Sequence, residues 1–322
     1  MASKLDFVTL DVFTTTPYQG NPLGVVHLPP PTSTSPAITQ AQKQAIAREF
    51  NYSETIFIHD VDPQNDTDPH TRRIDIFMTT RELPFAGHPT IGAAWYLKSH
   101  GITKLITKAG PIPIDFGPGE LVGASIPHNT HLNSKVFADL NPHDGLHEVP
   151  EIKEAELRAP IFSIVPGMTF TLIRLSSLEL LSRVAIGAFD YKPSELMDEG
   201  WSNTLIGRSY YVQTATSTSE SPSTGQALRN VSIRTRMILP SLEDPATGSA
   251  ACALTSYLSL HEFNETELRF ELTQGVEMGR QSEIFVDVRV KVDEQGVRTI
   301  EDVHLSGTAT KVMKGEVSVP PV

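Results

Sequence analysis

Apolar and polar residues alternate from residue 5 to residue 13, and this period of two predicts an opening strand. The turn-forming run Thr16-Pro17-Tyr18-Gln19-Gly20-Asn21-Pro22 then leads into an apolar strand over 23–28, which makes a hairpin-like start. Beyond the Pro/Ser/Thr stretch 29–36 the period changes. Ala41, Ala45, Ile46 and Phe50 share one face of a helix that Thr39 can cap and Asn51 ends. Strands are predicted over 55–59 and 72–78, a helix from about 89 to 100, and three short strands over 105–108, 112–116 and 121–126. The first half therefore reads as strands surrounding very few helices.

Residues 141–159 are acidic, carry Pro and His, and show no sheet pattern. They place a lobe boundary between 127 and 160, drawn here as 1–135 and 136–322, with the last strand able to cross back to the first lobe. The second half predicts a strand over 169–175, a short helix around 177–185 and strands over 209–214 and 230–238. A helix over 249–261 and strands over 268–273, 283–292 and 308–319 complete it. The Ser/Thr-rich run 214–224 reads as a mobile surface loop.

The two halves repeat each other. Glu82-Leu83-Pro84-Phe85-Ala86-Gly87-His88 lies over Glu243-Asp244-Pro245-Ala246-Thr247-Gly248-Ser249 at an offset of 161 (245 − 84), and Tyr96-Leu97 falls on Tyr257-Leu258. Each copy delivers a glycine just before a helix of small residues, Thr-Ile-Gly-Ala-Ala in one and Ala-Ala-Cys-Ala-Leu in the other. Small residues let a helix pass close to surrounding backbone, as a helix threaded through a curved sheet requires. The glycine also bares the first N–H groups, which with the helix dipole favour an anion. Two such ends facing each other would trap a carboxylate. Ser249 is an ordinary N-cap residue; His88, before Pro89, stands where a cap residue is usual, either as a tolerated loop-end residue or as a ring aimed at a ligand.

With 322 residues the chain suits two domains. Its formal charge of −12, from 26 basic and 38 acidic residues, argues against nucleic acid as a partner. No export signal and no membrane span are read, so a cytoplasmic protein is expected. The single Cys252 excludes an intramolecular disulfide and a thiolate metal cluster, and its place among alanines suits a small core residue. Nucleotide and zinc motifs are absent, and the histidines occur without metal-ligand spacing, so neither nucleotide-dependent nor zinc chemistry is expected. Glu54, between Tyr52 and Phe57, is either a solvated strand-start residue or a partly desolvated carboxylate whose pKa rises toward proton transfer. Asp244 beside Pro245 is either a turn former or a polar site residue.

Taken together, several segments carry a specific resemblance. They are Asp11-Val12-Phe13 through Gly20-Asn21-Pro22-Leu23, Ala45 to Asn51 with Ser53-Glu54-Thr55, Glu82 to Thr90, Asp244 to Ala250, and Gln274-Gly275 with Met278-Gly279-Arg280. In this order the chain resembles the PhzF-like family, named for the phenazine-biosynthesis isomerase, which shares its fold with diaminopimelate epimerase. The resemblance implies an α+β fold of two similar lobes, each a curved sheet or barrel around a central helix, with the ligand in the cleft between them and no cofactor. It implies that Glu54 is the acid/base, moving a proton between carbons of a small carboxylate-bearing substrate. It also implies that His88, Asp244 and Ser249 orient that substrate while Gly87 and Gly248 offer backbone contacts, and that the protein is a homodimer.

Two departures matter. One cysteine rules out the two-thiol racemase version of the fold, and four long segments (29–36, 59–71, 141–159 and 214–224) leave the phenazine precursor unassigned as substrate. The alternatives to an isomerase are a non-catalytic carboxylate-binding protein, or a hydrolase or lyase using the same carboxylate.

Overall fold

Alternation at the start of the chain produces strand β1 (Lys4–Val12), which returns as β2 (Asn21–Leu28) in antiparallel register, Leu10 opposite Leu23. The computed structural model describes residues 4–32, 36–62, 68–140, 145–187, 193–201, 205–220, 225 and 227–321. Parts of the four long segments (33–35, 63–67, 141–144 and 221–224) lie outside the described residues. The chain divides into two compact units, Met1–Ser125 with Ser306–Val322, and Ile126–Leu305.

In the first unit, helix α1 (Gln40–Phe50) begins at a capping box, where the Thr39 hydroxyl accepts from Gln42 N–H and Gln42 Oε1 accepts from Thr39 N–H. It ends at Asn51, whose left-handed φ of 54° suits asparagine. Strand β3 (Glu54–His59) follows parallel to β2, then β4 (Thr71–Phe77) antiparallel to β3, and the two-residue β5 (Glu82–Leu83) against β4. Helix α2 (Gly87–Leu97) leads to β6 (Lys104–Thr107), parallel to β4, and to the antiparallel β7 (Gly110–Phe116) and β8 (Val122–Ser125). The last strand of the chain, Ala309–Ser318, pairs with β1 inside this unit.

Helix α2 is the inner element, packed against β1, β2, β3, β8 and the last strand. A Cβ at Gly92 would lie 2.4 Å from Leu23 Cδ2 and 3.0 Å from Val12 Cγ2, so the small-residue face is what lets the helix sit there. Helix α1 packs outside, where Ile46 and Ala47 meet Val26, Phe57 and Phe77. Lys43 adds a buried ion pair to Asp75 at 2.5 Å.

The second unit repeats the scheme. After β9 (His131–Leu132) and helix α3 (Pro150–Arg158), β10 (Ile161–Val165) and β11 (Met168–Arg174) pair antiparallel, with the short helices α4 (Leu178–Ser182) and α5 (Pro193–Leu196) following. Strand β12 (Leu205–Glu220) is parallel to β11, β13 (Ala227–Ile238) antiparallel to β12, and β14 (Glu243–Asp244) a two-residue strand on β13. Helix α6 (Gly248–His261) leads to β15 (Glu267–Gln274), parallel to β13, then β16 (Ser282–Val292), β17 (Arg298–Gly307) and the final strand β18. Each pairing from β1/β2 to β6/β7 has its counterpart from β10/β11 to β15/β16.

One reading is corrected. Residues 214–220 are not a loop but the outer half of β12, with Ser217 opposite Asn230 and Glu220 opposite Ala227. Their exposed Ser and Thr side chains carry no apolar signal; the strand is specified by its partner β13. The acidic stretch before 160 contains α3, which starts on Pro150 and buries Ile152 and Glu156, the latter held by Arg208 at 3.1 Å and by the Tyr210 hydroxyl. Strands β10 and β17 also went unpredicted. Among the described residues no helix is long and apolar enough to cross a membrane.

Candidate active site

Helix α1 ends at Asn51, and the chain turns so that Glu54 becomes the first residue of β3, opposite Leu23 of the parallel β2. Its side chain is 15% exposed. Helix α2 brings in the second group: His88 Nδ1 lies 3.3 Å from Glu54 Oε2, with the His88 side chain only 6% exposed. A charge-assisted N–H···O bond is shorter, about 2.7–2.9 Å. Burial pulls the His88 pKa down from 6.5 to about 3, with the backbone of Pro22 pulling weakly the other way. The ring is therefore neutral at ordinary pH. Its Nε2 is buried and meets no partner of hydrogen-bonding geometry among the described residues. His88 is buried, so it is not a surface residue tolerated at a loop end.

Both inner helices start earlier than cap preferences suggested. The N-cap positions are Ala86 and Thr247, so Gly87 and Gly248 are the first helical residues and His88 and Ser249 the second. The residues 161 apart (86 + 161 = 247) occupy the same place in each unit, and so do the hydrogen bonds before them. Met78 N–H donates to Arg81 C=O at 2.8 Å, and Leu239 N–H to Leu242 C=O at 2.8 Å. Neither helix has a side-chain cap, which leaves the first-turn N–H groups of each with no acceptor from the cap residue.

In the second unit Asp244 ends β14, and its Oδ2 accepts from the Thr247 hydroxyl at 2.5 Å. Gln274, the 3% exposed last residue of β15, donates to Asp244 C=O at 2.8 Å and to Thr247 Oγ1 at 3.1 Å, and accepts from Thr247 N–H at 3.2 Å. The structure thus assembles Glu54, Gly87 and His88 within the first unit, and Asp244, Gly248 and Ser249 within the second. Gln274 and Thr247 appeared in the sequence only as motif letters; their signal was a nonlocal hydrogen-bond pattern that no spacing shows.

Cys252 is fully buried in α6, and burial pushes its thiol far above the usual range, which fits a core residue. Among the described residues no group of three His, Cys, Asp or Glu side chains is placed to hold a metal ion.

The phenazine biosynthesis-like protein family (PhzC-PhzF) matches the chain over residues 10–315. An uncharacterized isomerase of Mesorhizobium japonicum is 30% identical across 98% of this chain and 99% of its own length. The trans-2,3-dihydro-3-hydroxyanthranilate isomerase of Pseudomonas chlororaphis is 28% identical across 97% of this chain and 98% of its own. Among solved structures, the Bacillus anthracis phenazine biosynthesis protein of the PhzF family has the same fold, with a TM-score of 0.70 at 20% identity over 98% of this chain and 99% of that one. The mixed α+β fold, the motifs in order and these relatives agree: the chain is an isomerase and belongs to the phenazine biosynthesis-like protein family, PhzC-PhzF.

Proposed function

We propose that the chain is a cofactor-independent isomerase that moves a proton between two carbons of a small carboxylate-bearing metabolite, with Glu54 as the general acid/base. The observation that carries this reading is the pairing of a 15% exposed Glu54 with a buried, neutral His88 at the uncapped start of α2. Ionised Glu54 takes a proton from one carbon, and the electron pair left behind spreads into the adjacent unsaturated system. The protonated Glu54, 15% exposed, exchanges with solvent and then delivers a proton to a different carbon, so atoms balance and the carboxylate is regenerated. A neutral His88 offers the substrate a hydrogen bond without adding a charge that would hold Glu54 as a permanent ion-pair partner.

Gly87 and Gly248 offer backbone N–H groups, and Asp244 and Ser249 orient the substrate. A partner with a carboxylate suits uncapped helix starts, because the dipole and unpaired N–H groups favour negative charge. The single cysteine, buried, excludes a mechanism with two opposed thiols.

The dihydro-hydroxyanthranilate that names several relatives is the first substrate to offer, followed by other small unsaturated carboxylates. Incubation in heavy water should give an isomer of the substrate's own elemental composition, heavier only by one solvent deuterium on carbon. A product that has gained or lost water points to a hydrolase or lyase, and binding without turnover points to a non-catalytic protein; either would overturn the proposal.

A further inference from the structure

We propose that Gln274 is a positioning residue that locks the Thr247 hydroxyl onto Asp244 and keeps it off the first turn of α6. This rests on the reading above, in which Asp244 and the Gly248–Ser249 turn hold substrate.

The lock follows from donor and acceptor bookkeeping. Thr247 N–H can only donate and Asp244 C=O can only accept, so the Gln274 amide has one allowed orientation: Oε1 toward Thr247 N–H at 3.2 Å and Nε2 toward Asp244 C=O at 2.8 Å. The second Nε2 hydrogen then points at Thr247 Oγ1, 3.1 Å away. A hydroxyl that receives a hydrogen bond from one side turns its own hydrogen elsewhere, and the acceptor is Asp244 Oδ2 at 2.5 Å. Both hydroxyl contacts are therefore fixed by a side chain from another strand. The backbone braces the same segment, because Gly275, at φ 75°, is so close to Pro245 that a Cβ would lie 2.7 Å from the Pro245 carbonyl oxygen.

The consequence concerns capping. Threonine at an N-cap ordinarily turns its oxygen to the N–H of the second or third helical residue, here Ser249 or Ala250. Thr247 does not, although it occupies the N-cap of α6. Its oxygen is already engaged by Gln274. The matching position in the first unit is Ala86, which has no polar side-chain atom, and α2 is likewise without a side-chain cap. By two different chemistries, each unit withholds the cap from its inner helix and leaves the first-turn N–H groups to a ligand.

Gln274→Met removes the lock, and Gln274→Leu removes it with a shorter apolar side chain, which keeps the test available if the methionine variant does not fold. In either, the Thr247 oxygen swings to the first turn, and amide hydrogen exchange at Ser249 or Ala250 slows by roughly five- to tenfold. Adding Thr247→Val, which has no oxygen, returns exchange to the wild-type rate. Benzoate, as a bare carboxylate probe, should shift the Gly248 and Ser249 amides of the wild type, bind about five- to tenfold more weakly to the Gln274 variants, and regain affinity in the double variants. Unchanged exchange in the single variants, or slowing that persists without the threonine hydroxyl, overturns the lock. Wild-type amides that ignore benzoate instead count against the carboxylate site, while the exchange data still judge the lock.

Discussion

His88 offers a sharp check on the electrostatics of the site. The ring is buried, and its pKa falls from 6.5 to about 3 because the imidazolium would lose its hydration there. The folded state thus binds fewer protons than the unfolded chain between those two values. The associated stability is fully present above pH 6.5 and is lost as the pH falls toward 3. At pH 5 the loss is about 2 kcal/mol, from RT ln of the ratio of the two binding polynomials. In His88→Asn this component disappears. Urea melts of wild type and variant at pH 7, 6 and 5 should show the wild type losing about 2 kcal/mol more than the variant over that interval. The opposite expectation comes from Glu54: a true ion pair across the 3.3 Å gap would raise the ring above 6.5 and make the wild type gain on the variant as the pH falls. A gain, parallel slopes, or an imidazole titrating near 6.5 by NMR would refute the neutral ring.

Further outcomes follow from other positions. Gly275→Ala adds a Cβ 2.5 Å from the Arg280 carbonyl oxygen at a left-handed φ, and should cost about 2–4 kcal/mol in urea unfolding. Lys43→Met leaves buried Asp75 with only His59 and Arg73 for charge partners and should cost about 3 kcal/mol, most of it regained when Asp75→Asn is added. Burial would raise the Asp75 pKa, but hydrogen bonds and charge from His59 and Lys43 more than offset it, so this stability persists down to the ordinary carboxylate range and fades only below it. Cys252 should resist thiol reagents in the folded protein and react promptly in denaturant.

The repeat was legible because it rests on local chemistry. Glycine before a small-residue helix recurs at one offset, and α2 and α6 follow it, while the two-residue strands β5 and β14 ahead of them were not predicted. Thr39 and Asn51 bounded α1 for the same reason. What stayed hidden depends on distant partners. Strand status for 214–220 comes from β13, and the missing side-chain cap of α6 from a hydroxyl engaged by Gln274, 27 residues away (274 − 247). The cap rule pointed to Ser249 as an ordinary cap, when the residue two places earlier held the position and declined the role. Glu54 looked ordinary from its position; its pairing with His88 is a tertiary fact.

The central claim is that Glu54 carries the proton. It is tested most directly by solvent-deuterium incorporation into the turned-over substrate, followed by NMR or mass spectrometry in wild type and Glu54→Gln, with folding of the variant verified by its urea melt. The glutamine keeps the shape and loses the base, so incorporation should fall by about a thousandfold or more while substrate affinity stays within a few fold. Exchange at the wild-type rate in Glu54→Gln would contradict the account and move the proton transfer to another residue.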